Sequence, residues 1–144
     1  MRTLLVIGAV SLLLASCSSQ DEQRGQGAKS QEELVEIIGE AVRQKDVDGI
    51  MALGCWENVP EGMKKGMYRQ IPNCFDYKEP DFKIRKMSQK ESQAIKAHGK
   101  THVWNMEPLA YLVIEGSDPE DGSLSIPLGV RHGQYHIATR YPEN

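Results

Sequence analysis

The chain has 144 residues, 40% of them hydrophobic and 26% charged, which is the size and balance of one folded domain. Its formal net charge is -3, so no basic excess marks it as a general nucleic-acid binder. Aromatic residues make up 6%, too few for an extended base-stacking platform.

The chain opens on Met1 and Arg2, a short positive start, and Thr3 to Ala15 is then almost wholly apolar. A bilayer-spanning helix needs roughly 20 such residues. An export signal needs only about 7 to 15. The apolar run closes on Leu14, Ala15, Ser16 and Cys17. That order resembles the lipobox of bacterial lipoproteins. The resemblance implies that residues 1–16 are a lipoprotein signal peptide and that the chain is cut before Cys17. It implies a diacylglycerol on the Cys17 thiol and a further acyl chain, such as palmitate, on the new amine. Each buried methylene contributes about 0.8 kcal/mol, so one acyl chain holds weakly and two or more hold firmly. Ser18 follows in place of the aspartate that keeps Gram-negative lipoproteins in the inner membrane. The resemblance therefore implies the outer membrane, facing the periplasm, for a Gram-negative source. Cleavage also removes Arg2 and makes the mature chain one unit more negative.

Residues 17–29 read as a flexible tether, because Ser18 to Lys29 contains no large apolar side chain. Such a stretch spans about 20 Å on average. Residues 30–144 read as a single α+β domain. Ser30 to Glu33 form a capping box, and Leu34, Ile37, Ile38, Ala41 and Val42 follow at helical spacing, which predicts a helix from Gln31 to about Lys45. Asp46 caps a second short helix through Leu53, with Gly54 as its stop. A third helix is expected from Glu61 to Gln70, between Pro60 and Pro72. Phe82 and Ile84 alternate with basic residues as in a half-buried strand. Ser88 to Glu91 form a second capping box, for a short helix ending near His98.

From Thr101 the signal is β. Leu109 to Glu115 predicts one strand. Leu124, Ile126, Leu128 and Val130 alternate with Ser125, Pro127, Gly129 and Arg131 in another. Pro127 lacks a ladder donor, so that strand is expected at an edge or with a bulge. Tyr135, Ile137 and Thr139 mark the last strand after a turn at Gly133, and His136 falls on the opposite, polar face. Helices first and an antiparallel meander last make an α+β fold. The ending GVRHGQYHIATR resembles the final hairpin of cone-shaped, cystatin-like α+β folds of the nuclear-transport-factor and ketosteroid-isomerase kind. It is also similar to the glycine-aromatic-isoleucine strand that ends some small bacterial lipoproteins.

With Cys17 lipidated, Cys55 and Cys74 remain in an oxidising compartment. A disulfide between them closes a loop of about 20 residues and contributes about 3 kcal/mol. The alternative is two free buried thiols. His98, His102, His132 and His136 fall in two look-alike pentapeptides, HGKTH and HGQYH. Four-residue spacing suits zinc on a helix, but a glycine follows each first histidine and no acid or cysteine completes the set. No metal or other cofactor is expected. Glu115 to Ser123 is acidic without the oxygen spacing of a calcium loop and reads as a hairpin tip. Met51, Met63 and Met67 suit either a Cu(I) site or, more commonly, a core-facing stripe. Lys64, Lys65, Arg69, Lys83, Arg85, Lys86 and Lys90 form a basic middle region that either faces solvent or rests on an acidic surface.

No G-x-S-x-G, P-loop or G-x-G-x-x-G is present. A ketosteroid-isomerase-like site needs a carboxylate base and an oxyanion donor in an apolar pocket. Tyr111, Tyr135, Asp76 and Glu107 are available, and nothing in their spacing selects them. The sequence thus favours a lipid-anchored, non-enzymatic binding or accessory module over a small cone-fold enzyme or small-ligand binder. A purely structural envelope protein is a third reading. Its partners are the membrane, through Cys17, and an envelope protein or small ligand. An enclosed pocket holding a buried acid favours the enzyme. A filled cone beside an open apolar groove favours the module.

Overall fold

The computed structural model describes residues 24–97 and 102–143; the signal-like segment, Cys17 and His98 lie outside them. Helix α1 (Gln31–Gln44) starts where the capping box puts it. Ser30 Oγ accepts from Glu33 N at 3.1 Å, and the Glu33 carboxylate accepts from Lys29 N at 2.6 Å. The chain leaves α1 through Lys45 in the left-handed region (φ 55°). Helix α2 (Val47–Met51) is capped by Asp46, whose Oδ1 accepts from Gly49 N at 2.9 Å. It ends two residues short of the expected Leu53. Helix α3 (Glu61–Gln70) runs into a 3-10 turn, Ile71–Cys74. Strand β1 (Asp81–Lys86) is followed by helix α4 (Gln89–Ala97), whose capping box is reciprocal. Glu91 N donates to Ser88 Oγ at 3.2 Å, and Ser88 N donates to Glu91 Oε2 at 2.8 Å.

The remaining strands are β2 (His102–Trp104), β3 (Pro108–Glu115), β4 (Ser123–Arg131), β5 (Gln134–Ile137) and β6 (Arg140–Pro142). The main sheet has the order β1-β3-β4-β5, with every pairing antiparallel. The protein is therefore α+β, as its sequence predicts. A second sheet pairs β2 with β6. Ending the alternation at Thr139 in one strand misses this sheet, because the chain breaks pairing with β4 after Ala138 and restarts against β2.

One face of the main sheet carries Ala110, Leu112, Ile114, Ile126, Leu128 and Ile137, all buried. All of these except Ala110 form one cluster with Leu34, Ile38 and Val42 of α1 and with Ile50 and Leu53. Each large side chain there contributes about 1.5–3 kcal/mol by leaving water. That face of the sheet is thus covered by its own helices. A smaller cluster of Cys55, Met106 and Ala138, with Trp104 against it, joins the second sheet to the first. Among the described residues no helix is long and apolar enough to cross a membrane.

Three expectations change. Strand β4 is not the sheet edge: it lies between β3 and β5, and the irregularity is in β3, between Pro108 and Ala110. Pro127 is tolerated because its side of the ladder needs no N–H there: its carbonyl accepts from Ala138 N at 2.8 Å, and the chain turns away from β4 directly afterwards. Residues 24–29 are not free tether. Ala28 is buried and exchanges both backbone hydrogen bonds with Tyr135 (2.8 Å each), while Gln26 N donates to Ala52 O at 2.8 Å. His136 is not on a solvated face: it is 1% exposed.

Candidate functional site

The β4–β5 hairpin turns on His132 (φ 53°) and Gly133 (φ 75°), two left-handed residues in a two-residue loop. That is the type I′ geometry that matches strand twist, and a glycine at the second position adopts it without strain. The turn aims His132 Nε2 at Glu57, 3.1 Å from Oε2. Arg131 Nη2 reaches the same carboxylate at 2.7 Å, and Arg24 Nε reaches it at 3.3 Å. Glu57 is thus the shared anion of three basic groups. The hydrogen bond from His132, then the charge of Arg131, hold its carboxyl below the ordinary range. The described chain begins at this tip, with Arg24.

Behind the tip lies a buried polar joint. Asn105 Nδ2 donates to Cys55 O, and Asn105 Oδ1 accepts from Thr139 N at 2.7 Å. Asn105 N donates to Thr139 O at 3.0 Å, and Arg131 donates to Asn105 O. One side chain therefore ties the segment after α2, the β2 end and the start of β6 together. A lone asparagine between Trp104 and Met106 gives no sequence signal for this role.

An apolar groove of about 190 Å3 opens beside this joint. Met63, Met67 and Ile71 form one wall and Trp104 and Arg140 the other. Leu124 to Pro127 of β4 make its floor. The helical spacing of Met63 and Met67 aims both at this groove, and Thr139 Oγ1 lies 3.3 Å from Met67 Sδ. The methionines therefore divide between core and groove: Met51 is buried, while Met63 and Met67 are half-buried. A second shallow groove, about 280 Å3, runs past Trp56, with the Lys64 ammonium 5.8 Å from its ring centre.

The other candidates are dispersed. His136 is buried, its Nδ1 3.2 Å from Leu53 O, and burial pushes its pKa down. His102 lies on β2 opposite Pro142. Among the described residues no three His, Cys, Asp or Glu side chains are grouped to hold a metal. Cys55 and Cys74 are both free and fully buried. They sit in different clusters, Cys55 beside Met106 and Cys74 in the main core. Cys74 Sγ donates to Ile71 O at 3.1 Å, and burial pushes the thiol's pKa up.

The acidic loop is a hairpin tip held by its own side chains. Lys78 N donates to Asp121 Oδ2 at 2.7 Å, and Glu120 N donates to Asp118 Oδ1 at 3.1 Å. Two residues of the basic region, Lys83 and Arg85, have acidic partners. Lys83 pairs with Asp81 at 2.9 Å. Arg85 bonds both oxygens of Glu91 at 3.0 Å and covers the Tyr111 ring. Asp76 is exposed and paired with Lys45 at 2.8 Å. Glu107 is exposed, Tyr111 lies under Arg85, and Tyr135 is bridged to Ala28 through its backbone. The four groups named for an isomerase-like site do not converge. The buried polar residues among those described are Asn105, His136 and Thr139, none of them an acid.

No protein-family model, curated protein or solved structure matches the chain.

Proposed function

We propose that this protein is a bacterial lipoprotein, anchored through acyl chains on Cys17, whose α+β domain is a non-catalytic binding or accessory module of the cell envelope. In a Gram-negative cell it faces the periplasm from the outer membrane. The observation that carries the binding role is the open groove of Met63, Met67, Trp104 and Leu124 beside a sheet whose buried face is already packed against helices. Met63, Met67, Trp104 and Leu124 are each half-buried there, so the groove leaves part of four large side chains in water for a partner to cover.

The docked segment 24–29 shortens the tether. From Cys17 to Arg24 the chain reaches at most roughly 25 Å. The β4–β5 tip is therefore held near the lipid. The β4 residue of the groove nearest the tip is Pro127, roughly 13 Å of strand away from Arg131. That separation leaves it accessible to a partner in the aqueous space.

A photoreactive residue at position 124 tests the reading in intact cells. A discrete adduct heavier than the chain is expected from position 124 and not from exposed Lys86. Equal, diffuse labelling from both positions would contradict it.

A further inference from the structure

We infer that the groove takes an extended peptide segment, which adds as a strand to the open half-edge of β4 and ends on or near a carboxylate held by Arg140. This deepens the module reading and rests on it.

The argument starts from register. The closing pair of the β4–β5 hairpin is Arg131 with Gln134, followed by Gly129 with His136. In a two-residue hairpin the closing pair is hydrogen-bonded, and hydrogen-bonded pairs recur at every second residue. The odd-numbered residues of β4 therefore point their N–H and C=O groups toward β5. Pro127 fits the series: it has no N–H to give, and its carbonyl accepts from Ala138 N at 2.8 Å. The next residue in the series is Ser125. Its N–H and C=O point the same way, but β5 ends at Ile137 and the chain has turned aside. Thr139 N is taken by Asn105 Oδ1 instead of by β4. Ser125 thus offers an unused donor and acceptor at the floor of the groove.

The walls suit what an added strand would carry. Successive side chains of a strand point to opposite faces. One set would meet Met63, Met67 and Ile71, and the other Trp104. Methionine walls adapt to varied apolar side chains. At the rim, the Arg140 guanidinium has neither ion pair nor hydrogen bond among the described residues, as is true also of Arg69 outside the groove, whereas Arg24, Arg43, Arg85 and Arg131 are all paired. A guanidinium is shaped for a carboxylate. Backbone pairing gives such a site affinity, and the alternate side chains give it selectivity. The outer edge of β1 is a poorer template, since it carries Asp81, Lys83, Arg85 and Lys86.

The probe is a pool of acetylated synthetic hexapeptides, with Val, Ile or Leu alternating with Ser or Thr and a free terminal carboxylate. It is added to the full chain in detergent micelles, and hydrogen exchange of the Ser125 amide is read. Protection of Ser125 is expected at millimolar peptide. Arg140→Gln, or amidation of the peptide terminus, is expected to weaken binding at least about tenfold. Ser125→Pro is expected to abolish protection at the neighbouring groove residues while sparing the β3 ladder, because position 125 gives nothing to β3. If that variant does not fold, a backbone N-methylated pool tests the same bond from the other side. No protection by the pool, or equal binding of the N-methylated pool, overturns the inference. A discrete cellular adduct from position 124 without protection of Ser125 overturns the strand alone and leaves the module. Loss of both overturns both.

Discussion

The Gly27 backbone lies against the His136 imidazole so closely that a Cβ at position 27 would stand 2.6 Å from His136 Cε1 and 2.6 Å from Gln134 Cβ. The segment before α1 is therefore packed on the sheet by a contact only glycine permits. Gly27→Ala is expected to destabilise the fold by about 1–3 kcal/mol, the usual cost of forced overpacking. It should also release residues 24–28 to proteases. Gly66 is the control. It lies within α3 and a Cβ there would meet nothing within 4 Å. Gly66→Ala should stabilise by about 0.5–1 kcal/mol, read from the denaturant midpoint.

The same contact gives a pH dependence. Burial lowers the pKa of His136 below its ordinary 6.5, while Leu53 O favours the charged form and Arg131 and His132 oppose it. The unfolded chain therefore takes up this proton first, and the folded state loses stability as pH falls below 6.5. The carboxylates act lower. Glu91, held down to about 2 by Arg85 and the Ser88 N–H, adds stability above 4.5 that is lost as pH falls toward 2. Denaturant midpoints between pH 7 and 5 should fall in the native chain and stay nearly level in His136→Gln. A drop of equal size in both would contradict the assignment to His136.

Asn105 joins three segments. Asn105→Leu leaves Cys55 O and Thr139 N without their side-chain partners, at about 1–3 kcal/mol for each orphaned group. Amide exchange is expected to speed up first in β2 and β6, while β3 and β4 stay protected. Uniform acceleration across the main sheet would mean that the joint is not local.

Local signals carried most of the helices because each depends on neighbours in sequence. Both N-caps, Ser30 and Ser88, accept as the residue order requires; the returning bond reaches Ser88 N in one box and Lys29 N, one residue early, in the other. Strand alternation found β3 and β4, where one face is buried against a helix. It failed at His136, because the cover over that ring comes from Gly27, far away in the chain. It failed at Ala28 for the same reason: nothing in a polar, glycine-rich stretch announces two hydrogen bonds to Tyr135. Pro127 predicts an edge or a bulge in β4; β4 is inner, but β5 covers only its second half, from Leu128 to Arg131. The groove was legible only as Met63 and Met67 on one helix face. Its other wall, Trp104 and Arg140, depends on a second sheet that the periodicity of residues 101–142 does not reveal.

The thiols give a simple count. In Cys17→Ser protein purified without reductant, the free, buried state of Cys55 and Cys74 predicts almost no reaction while folded and two reactive thiols once unfolded. A count of zero in the unfolded, unreduced chain would demonstrate the bridge that loop length and compartment suggest.

Where the groove works depends on the anchor, so the intact mass of the mature chain from the membrane fraction tests the account most directly. The account predicts a chain beginning at Cys17 and heavier than its residues by a diacylglycerol and, in a Gram-negative cell, one further acyl chain. An unmodified Cys17, or a chain cut at another position, would contradict it.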